Sequence, residues 1–235
     1  MRRVLCSWLV LSACVPMLAV AAPVEYGTDA GWGRLLLDRA KRTVAIEVVG
    51  INGHSCDVQA TLVGSQGDRA EAEACRFQLQ PKGQGTLTVV VDEAARDACR
   101  ENCGARAWFE GDYAPLIAAC TRSALQRRQQ EGLQAYRGKR FDAALQLWSQ
   151  GLDACEKTMA WADVWRWRND AAIAASHAGR AAECQKLSQA VLDDAESLTQ
   201  PGDAEPFSFA PSDADTARPL IAAARHNLAK CGGTP

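Results

Sequence analysis

The chain has 235 residues, 48% of them hydrophobic and 23% charged, with ten cysteines and a formal net charge of −2. That length suffices for one large or two small packed domains, and the mildly acidic balance argues against nucleic acid or an anionic membrane surface as the main partner. Beyond Ala22, no segment is long and apolar enough to span a bilayer.

Met1-Arg2-Arg3 precedes an apolar run that ends in Ala19-Val20-Ala21. A basic start, an apolar stretch and a small-residue end are the layout of a secretory signal peptide. Residues 1–21 are therefore expected to be removed, leaving a mature chain from Ala22 with 24 basic and 28 acidic residues. Leu11-Ser12-Ala13-Cys14 offers an alternative, because it resembles the lipobox of bacterial lipoproteins, in which Cys14 would be lipidated and tie the protein to a membrane. The residues after Cys14 stay apolar through Ala22, unlike a polar tether, and this favours periplasmic or secreted protein. Eight cysteines lie beyond the leader, and an even count in an exported chain reads as four disulfides.

Residues 22–119 read as a small antiparallel β-domain, a barrel or a sandwich. GRLLLD, TVAIEVVG, DVQATLV, ACRFQLQ, GTLTVVV and ARAWFEGDY supply roughly six short strands. Val44, Ile46 and Val48 alternate with Ala45, Glu47 and Val49 as in a half-buried strand, and Asn52-Gly53 is a turn signal. Cys56 and Cys75 flank the GSQGDR turn symmetrically, which favours Cys56–Cys75 with Cys99–Cys103; the other two connectivities stay open. His54, Cys56, Cys99 and Cys103 could supply zinc with one imidazole and three thiolates, but an oxidising compartment favours disulfides.

CRENCGARAWFEGDY, with NGHSC upstream and RNDAAIA downstream, resembles a family of uncharacterised exported proteins of Gram-negative bacteria. The resemblance covers most of the mature chain and implies a cysteine-rich β-domain with a helical C-terminal half. It carries no assigned activity and no functional residues. The β-domain also has the general look of small periplasmic lysozyme inhibitors, without their inhibitory motif.

Residues 120–235 read as tetratricopeptide-like helical repeats, about five helices in all. In EGLQAYRGKRFDAALQLWSQGL, Gly132, Phe141, Ala144, Leu145, Trp148, Gly151 and Leu152 fall on that pattern, small residues where helices cross and large ones beside them. Lys139 stands at the usual turn glycine. Ala172, Ala175, Gly179 and Cys184 form a weaker copy 40 residues on, and ADTARPLIAAARHNLAKC reads as a capping fifth helix. Cys120 and Cys155 are equidistant from the Arg137–Gly138 turn, and Cys184 and Cys231 from a point inside QPGDAEPFSFAPSD, so Cys120–Cys155 and Cys184–Cys231 are expected across antiparallel helices. Pro201 to Pro219 reads as the longest irregular stretch, with Ser212 or Asp213 capping the last helix.

No catalytic constellation stands out. The three histidines, His54, His177 and His226, share no metal-binding helix spacing, and nucleophile, phosphate-loop and dinucleotide motifs are missing from the sequence. No metal site and no cofactor are indicated. Trp161, Trp165 and Trp167 with Arg166 and Arg168 form the densest aromatic and basic cluster, and Trp with Arg dominates binding hot spots. Trp161, Trp165, Arg168, Phe207 and Phe209 are therefore the partner-binding candidates, with core packing as the plainer role for the tryptophans. The expected function is a non-enzymatic interaction protein of the periplasm, whose helical groove takes a protein or peptide of the cell envelope. The alternative is an inhibitor or immunity-type protein whose β-domain blocks an envelope hydrolase.

Overall fold

The computed structural model describes residues 22–50, 53–197 and 211–232. The leader with Cys14, most of the Asn52-Gly53 turn, and Phe207 and Phe209 lie outside the described residues.

Eight strands, not six, form a closed antiparallel barrel: β1 (Val24–Gly27), β2 (Gly33–Asp38), β3 (Thr43–Val49), β4 (Ser55–Val63), β5 (Arg69–Ala72), β6 (Cys75–Lys82), β7 (Thr86–Val91) and β8 (Gly111–Pro115). Each pairs with its sequence neighbour, and β8 returns to β1 through Tyr26↔Pro115 and Gly27↔Ala114. The period-2 pattern of β3 holds: Val44, Ile46 and Val48 point inward beside Val58, Phe77 and Leu79. The two unforeseen strands are short, and RAEA buries only Ala70, so neither carries an apolar alternation. In ARAWFEGDY only the end is strand; residues 105–110 are turn and coil.

The cysteine pairing expected in this half is wrong. Cys56 bonds Cys103 and Cys75 bonds Cys99, with Cα atoms 4.1 and 4.4 Å apart. The apparent symmetry of Cys56 and Cys75 fails because the chain reverses twice between them. The β5–β6 ladder closes at Ala72↔Cys75, and Glu73 in the turn adopts φ 53°, a left-handed conformation that no glycine announces. Cys75 thus starts β6, one strand removed from β4. A short helix, α1 (Arg96–Arg100), follows β7 where none was expected. Cys99 on α1 ties it to β6, and Cys103 beyond it joins β4, so the two bonds pin one connection to two strands. With the thiols so used, the zinc alternative has lost its ligands.

Among the described residues five longer helices follow: α2 (Arg122–Arg137), α3 (Phe141–Cys155), α4 (Trp161–His177), α5 (Ala181–Ser197) and α6 (Pro211–Lys230). Each packs on the next, and α6 also packs on α4. Small residues set these approaches: a Cβ on Gly132 would lie 2.6 Å from Cε2 of Trp148, and one on Gly151 would collide with the ring of Trp167. Gly138 N–H donates to Gln134 O, Lys139 N–H to Tyr136 O, Arg140 N–H to Ala135 O and Ala144 N–H to Arg140 O; the α4–α5 turn repeats all four bonds on residues numbered 40 higher. Lys139 takes φ 56° where the second turn has Gly179 at 75°. Cys120–Cys155 and Cys184–Cys231 close the helical half as the hairpin symmetry requires, with Cα separations of 5.4 and 5.9 Å.

The stretch read as irregular to Pro219 is helical from Pro211 onward. A proline suits a first helical turn, whose N–H groups have no intrahelical acceptor. Ser212 and Asp213 therefore lie inside α6 instead of capping it, and Pro219 stands within the helix. Two buried amides lock α6 to α4: Asn169 Nδ2 donates to Leu220 O at 3.0 Å, and Asn227 Nδ2 to Asn169 O at 3.1 Å.

Barrel and helices meet through a small polar joint. Glu25 Oε2 accepts from Arg122 N–H at 2.9 Å and from Arg34 Nη1 at 3.3 Å, and the Arg122 guanidinium pairs with Glu47. Gly31 (φ 64°) lies against the Met159 backbone so closely that a Cβ would overlap it.

Candidate functional site

Of the expected binding residues, Trp165 is 0% exposed and its Nε1 donates to Asp194 at 3.2 Å, which makes it core and corrects its assignment to a surface. Arg168 is also structural. Its side chain is 12% exposed and reaches Asp194 and Glu156 at 2.6 and 2.5 Å, joining α4 to α5 and to the turn after α3. The spacing that put Trp165 and Arg168 together on α4 pointed toward α5, not toward solvent. Trp161 stands apart. It is partly exposed, one turn before Trp165, with ring centroids 4.8 Å apart in an edge-on arrangement.

Trp161 lines a cleft of about 400 Å³ between the barrel and the start of α4. Its other large side chains come from far away in sequence: Trp32, Val49 and Trp108, with Arg106 and Asp213 also lining it. Trp32 is 36% exposed and Val49 61%.

Local structure explains how each indole gets there. Thr28 closes the β1–β2 loop, its Oγ1 accepting from Gly33 N–H at 2.8 Å. Ala30 and Gly31 take left-handed conformations inside that loop, turning Trp32 off the barrel wall. Trp32 O then accepts Val49 N–H at 2.8 Å, and its ring meets Tyr113 edge-on at 6.0 Å. Trp108 is fixed differently: Nε1 donates to Glu110 Oε2 at 2.6 Å, and the guanidinium groups of Arg100 and Arg96 lie 4.5 and 5.4 Å from the ring centroid. Gly50 lets the 104–110 segment close in, since a Cβ there would overlap Arg106 O.

A second groove, between α2 and α4, is lined by Gln126, Gln129, Gln130, Asp163 and Arg166. Its polar groups are largely engaged. Gln129 accepts from Trp148 Nε1 at 2.7 Å and donates to Asp170 at 2.8 Å, and Arg166 pairs with Asp163 at 2.5 Å.

The histidines do not converge. His54 is on the barrel beside Gly104, His177 stacks on Phe141 at 4.7 Å, and His226 is exposed on α6. Among the described residues, no group of three or more His, Cys, Asp or Glu side chains is placed to hold a metal ion. Burial pushes the Tyr113 phenol up, and its hydroxyl donates to Phe109 O at 2.8 Å, so it is a structural group of the barrel core.

Sequence reasoning found Trp161 and missed Trp32 and Trp108. Each carried a faint local signal: Trp32 stands between two glycines, and Trp108 sits outside any apolar alternation. Their convergence depends on barrel closure and on the docking of α4, which no local pattern encodes. The chain matches no model of a protein family, no curated protein and no solved structure.

Proposed function

We propose that the chain is an exported, non-catalytic binding protein of the cell envelope that takes an apolar segment of a partner protein or peptide into the tryptophan cleft. The observation that carries this reading is the cleft itself: three indoles from remote segments converge on one opening. Large aromatic side chains at a concave site are what binding hot spots use. Four disulfides fit an oxidising environment, and with the leader they support the periplasm or the medium as its location. Membrane attachment enters only with a lipidated Cys14. The helical half is read as two tetratricopeptide-like units and a capping helix, supported by the recurrence of four turn bonds at a 40-residue offset. In this reading the helices hold Trp161 and Asp213 against the barrel.

The inhibitor reading keeps one observation of its own. Val24 and Leu36, on neighbouring strands of the barrel wall, are 42% and 43% exposed. A photo-crosslinking amino acid placed in turn at Val49, Leu36 and Gln130 separates the choices in the native compartment. An adduct at Val49 that Trp32→Ala abolishes supports the cleft. Adducts confined to Leu36 favour the barrel wall, and adducts confined to Gln130 favour the helical groove; either result removes the proposal.

A further inference from the structure

We infer that the occupant of the cleft is the C-terminal residue of a partner polypeptide, an aromatic side chain among the indoles with its free carboxylate on Arg106. This rests on the reading of the cleft as the binding site and adds the chemistry of the ligand.

Arg106 is exposed and lines the cleft, and its guanidinium has no ion pair or side-chain hydrogen bond among the described residues. The neighbouring arginines are engaged: Arg96 pairs with Glu93 and Glu110 at 3.1 Å each, and Arg100 donates to Ala107 O at 3.3 Å while lying over Trp108. Asp213, the acid of the lining, has a partner of its own. The cleft thus presents apolar walls beside Arg106, a cation that no carboxylate among the described residues pairs. Trp108 offers only its ring, because its N–H is spent on Glu110.

A guanidinium fork matches a carboxylate in shape and charge. Indole walls favour flat rings in edge or offset contact over flexible acyl chains. A terminal residue carries a ring and a carboxylate on one Cα, so both fit within a volume of about 400 Å³. A chain passing through would have to bring its charge from a second residue. Capture of a terminal carboxylate is an established mode of peptide recognition.

The test uses three fluorescein-labelled octapeptides of otherwise identical sequence: one ending in Phe with a free carboxylate, one ending in Phe amide, and one ending in Ala with a free carboxylate. Anisotropy titration with the full mature protein is expected to show the Phe acid binding about tenfold tighter than either other peptide, the scale of one charge-assisted contact. Arg106→Ala should erase the gap between acid and amide while leaving the amide unchanged, and Arg106→Lys should keep part of it. Circular dichroism confirms that these exposed substitutions leave the fold intact. Equal binding of acid and amide, both weakened by Trp32→Ala, overturns the carboxylate inference and leaves the cleft as the site. Binding of none of the peptides overturns the inference as well, and crosslinking at Val49 then decides the broader reading separately.

Discussion

The two halves treat their large apolar residues in opposite ways. Among the described residues, the large hydrophobics that remain exposed are Val24, Trp32, Leu36, Val49 and Ile117, all before the first long helix. The helical half buries Trp148, Trp165 and Trp167 almost completely. An eight-stranded barrel closes around a core that inward-facing residues fill, so apolar residues on its outside and at its rim take no part in that core. A helical stack has no inside until its helices meet, so its aromatics are consumed in making the fold. The difference bears on the proposed binding role: the exposed apolar side chains lie in the barrel half, and the helices spend theirs on packing.

The strongest way to break that comparison is to truncate one tryptophan from each side. Trp148→Ala should destabilise the protein by about 3–5 kcal/mol, the cost of deleting a buried aromatic. Trp32→Ala should cost less, about 1–2 kcal/mol, since the residue is 36% exposed and only partly packed. Urea unfolding of the two variants measures both. A large loss at Trp32 would make the rim structural and weaken the case for a binding role. Gly132→Ala adds a cross-check, because its new methyl meets Trp148. It should destabilise the wild type by about 1–3 kcal/mol and do far less once Trp148 is Ala.

Next in size is the amide lock between α4 and α6. Asn227→Leu leaves Leu220 O served but removes the buried donor that Asn227 Nδ2 gives to Asn169 O and to the side-chain oxygen Asn169 Oδ1, and Oδ1 has no helical donor to fall back on. A loss of about 1–3 kcal/mol is expected, by the cost of an unsatisfied buried polar group. Calorimetry on the intact, oxidised protein reads this directly. An unchanged melting temperature would mean that α6 is held by its disulfide and apolar contacts alone.

How far each half could be read from sequence follows the same division. Helical hairpins are local, and residues equidistant from a turn meet, so Cys120–Cys155 and Cys184–Cys231 were deducible from numbering. In the barrel the same symmetry failed at Cys56 and Cys75, because the intervening turn places a glutamate in a left-handed conformation. Among the described residues, four of the five non-glycine residues with positive φ, namely Ala30, Arg42, Glu73 and Gln84, lie in the barrel half. Turns without the usual residue signals hide strands, and this is how β5 escaped. Trp161 was legible as a member of the aromatic and basic cluster. That Trp165 would be buried and Trp32 recruited was not, since each depends on which face a neighbouring element covers.

The fifth left-handed residue, Lys139, sharpens the likeness between the two helical turns. A side chain in this region costs about 1–2 kcal/mol relative to right-handed backbone, partly offset by the greater freedom glycine has when unfolded. Lys139→Gly is therefore expected to stabilise the protein by up to about 1 kcal/mol. The matching Gly179→Ala should destabilise by a similar amount, because its φ of 75° is kept by the same hydrogen bonds. Equal and opposite shifts in the urea midpoint would establish that the two turns are energetically equivalent. A destabilising Lys139→Gly would instead reveal a contact made by the lysine stem.

The smallest effect tests whether the helical half tolerates charge in its interior. Asp170 on α4 accepts from Gln129, which in turn accepts from Trp148. Burial pushes its carboxyl above the usual carboxylate range; the Gln129 hydrogen bond and the Arg166 charge pull it back only in part. The folded state therefore holds this proton to higher pH than the unfolded chain does. As pH rises through the carboxylate range the unfolded chain ionises first, so this residue's contribution to stability falls and then levels off above the folded value. Asp170→Asn keeps a carbonyl for Gln129 and removes the ionisation. Its urea midpoint should match the wild type near about pH 3 and exceed it by a small margin near about pH 7. A wild type that gains on the variant as pH rises would mean that Gln129 and Arg166 outweigh burial, and that the interior of α2, α3 and α4 is more polar than its tryptophans imply.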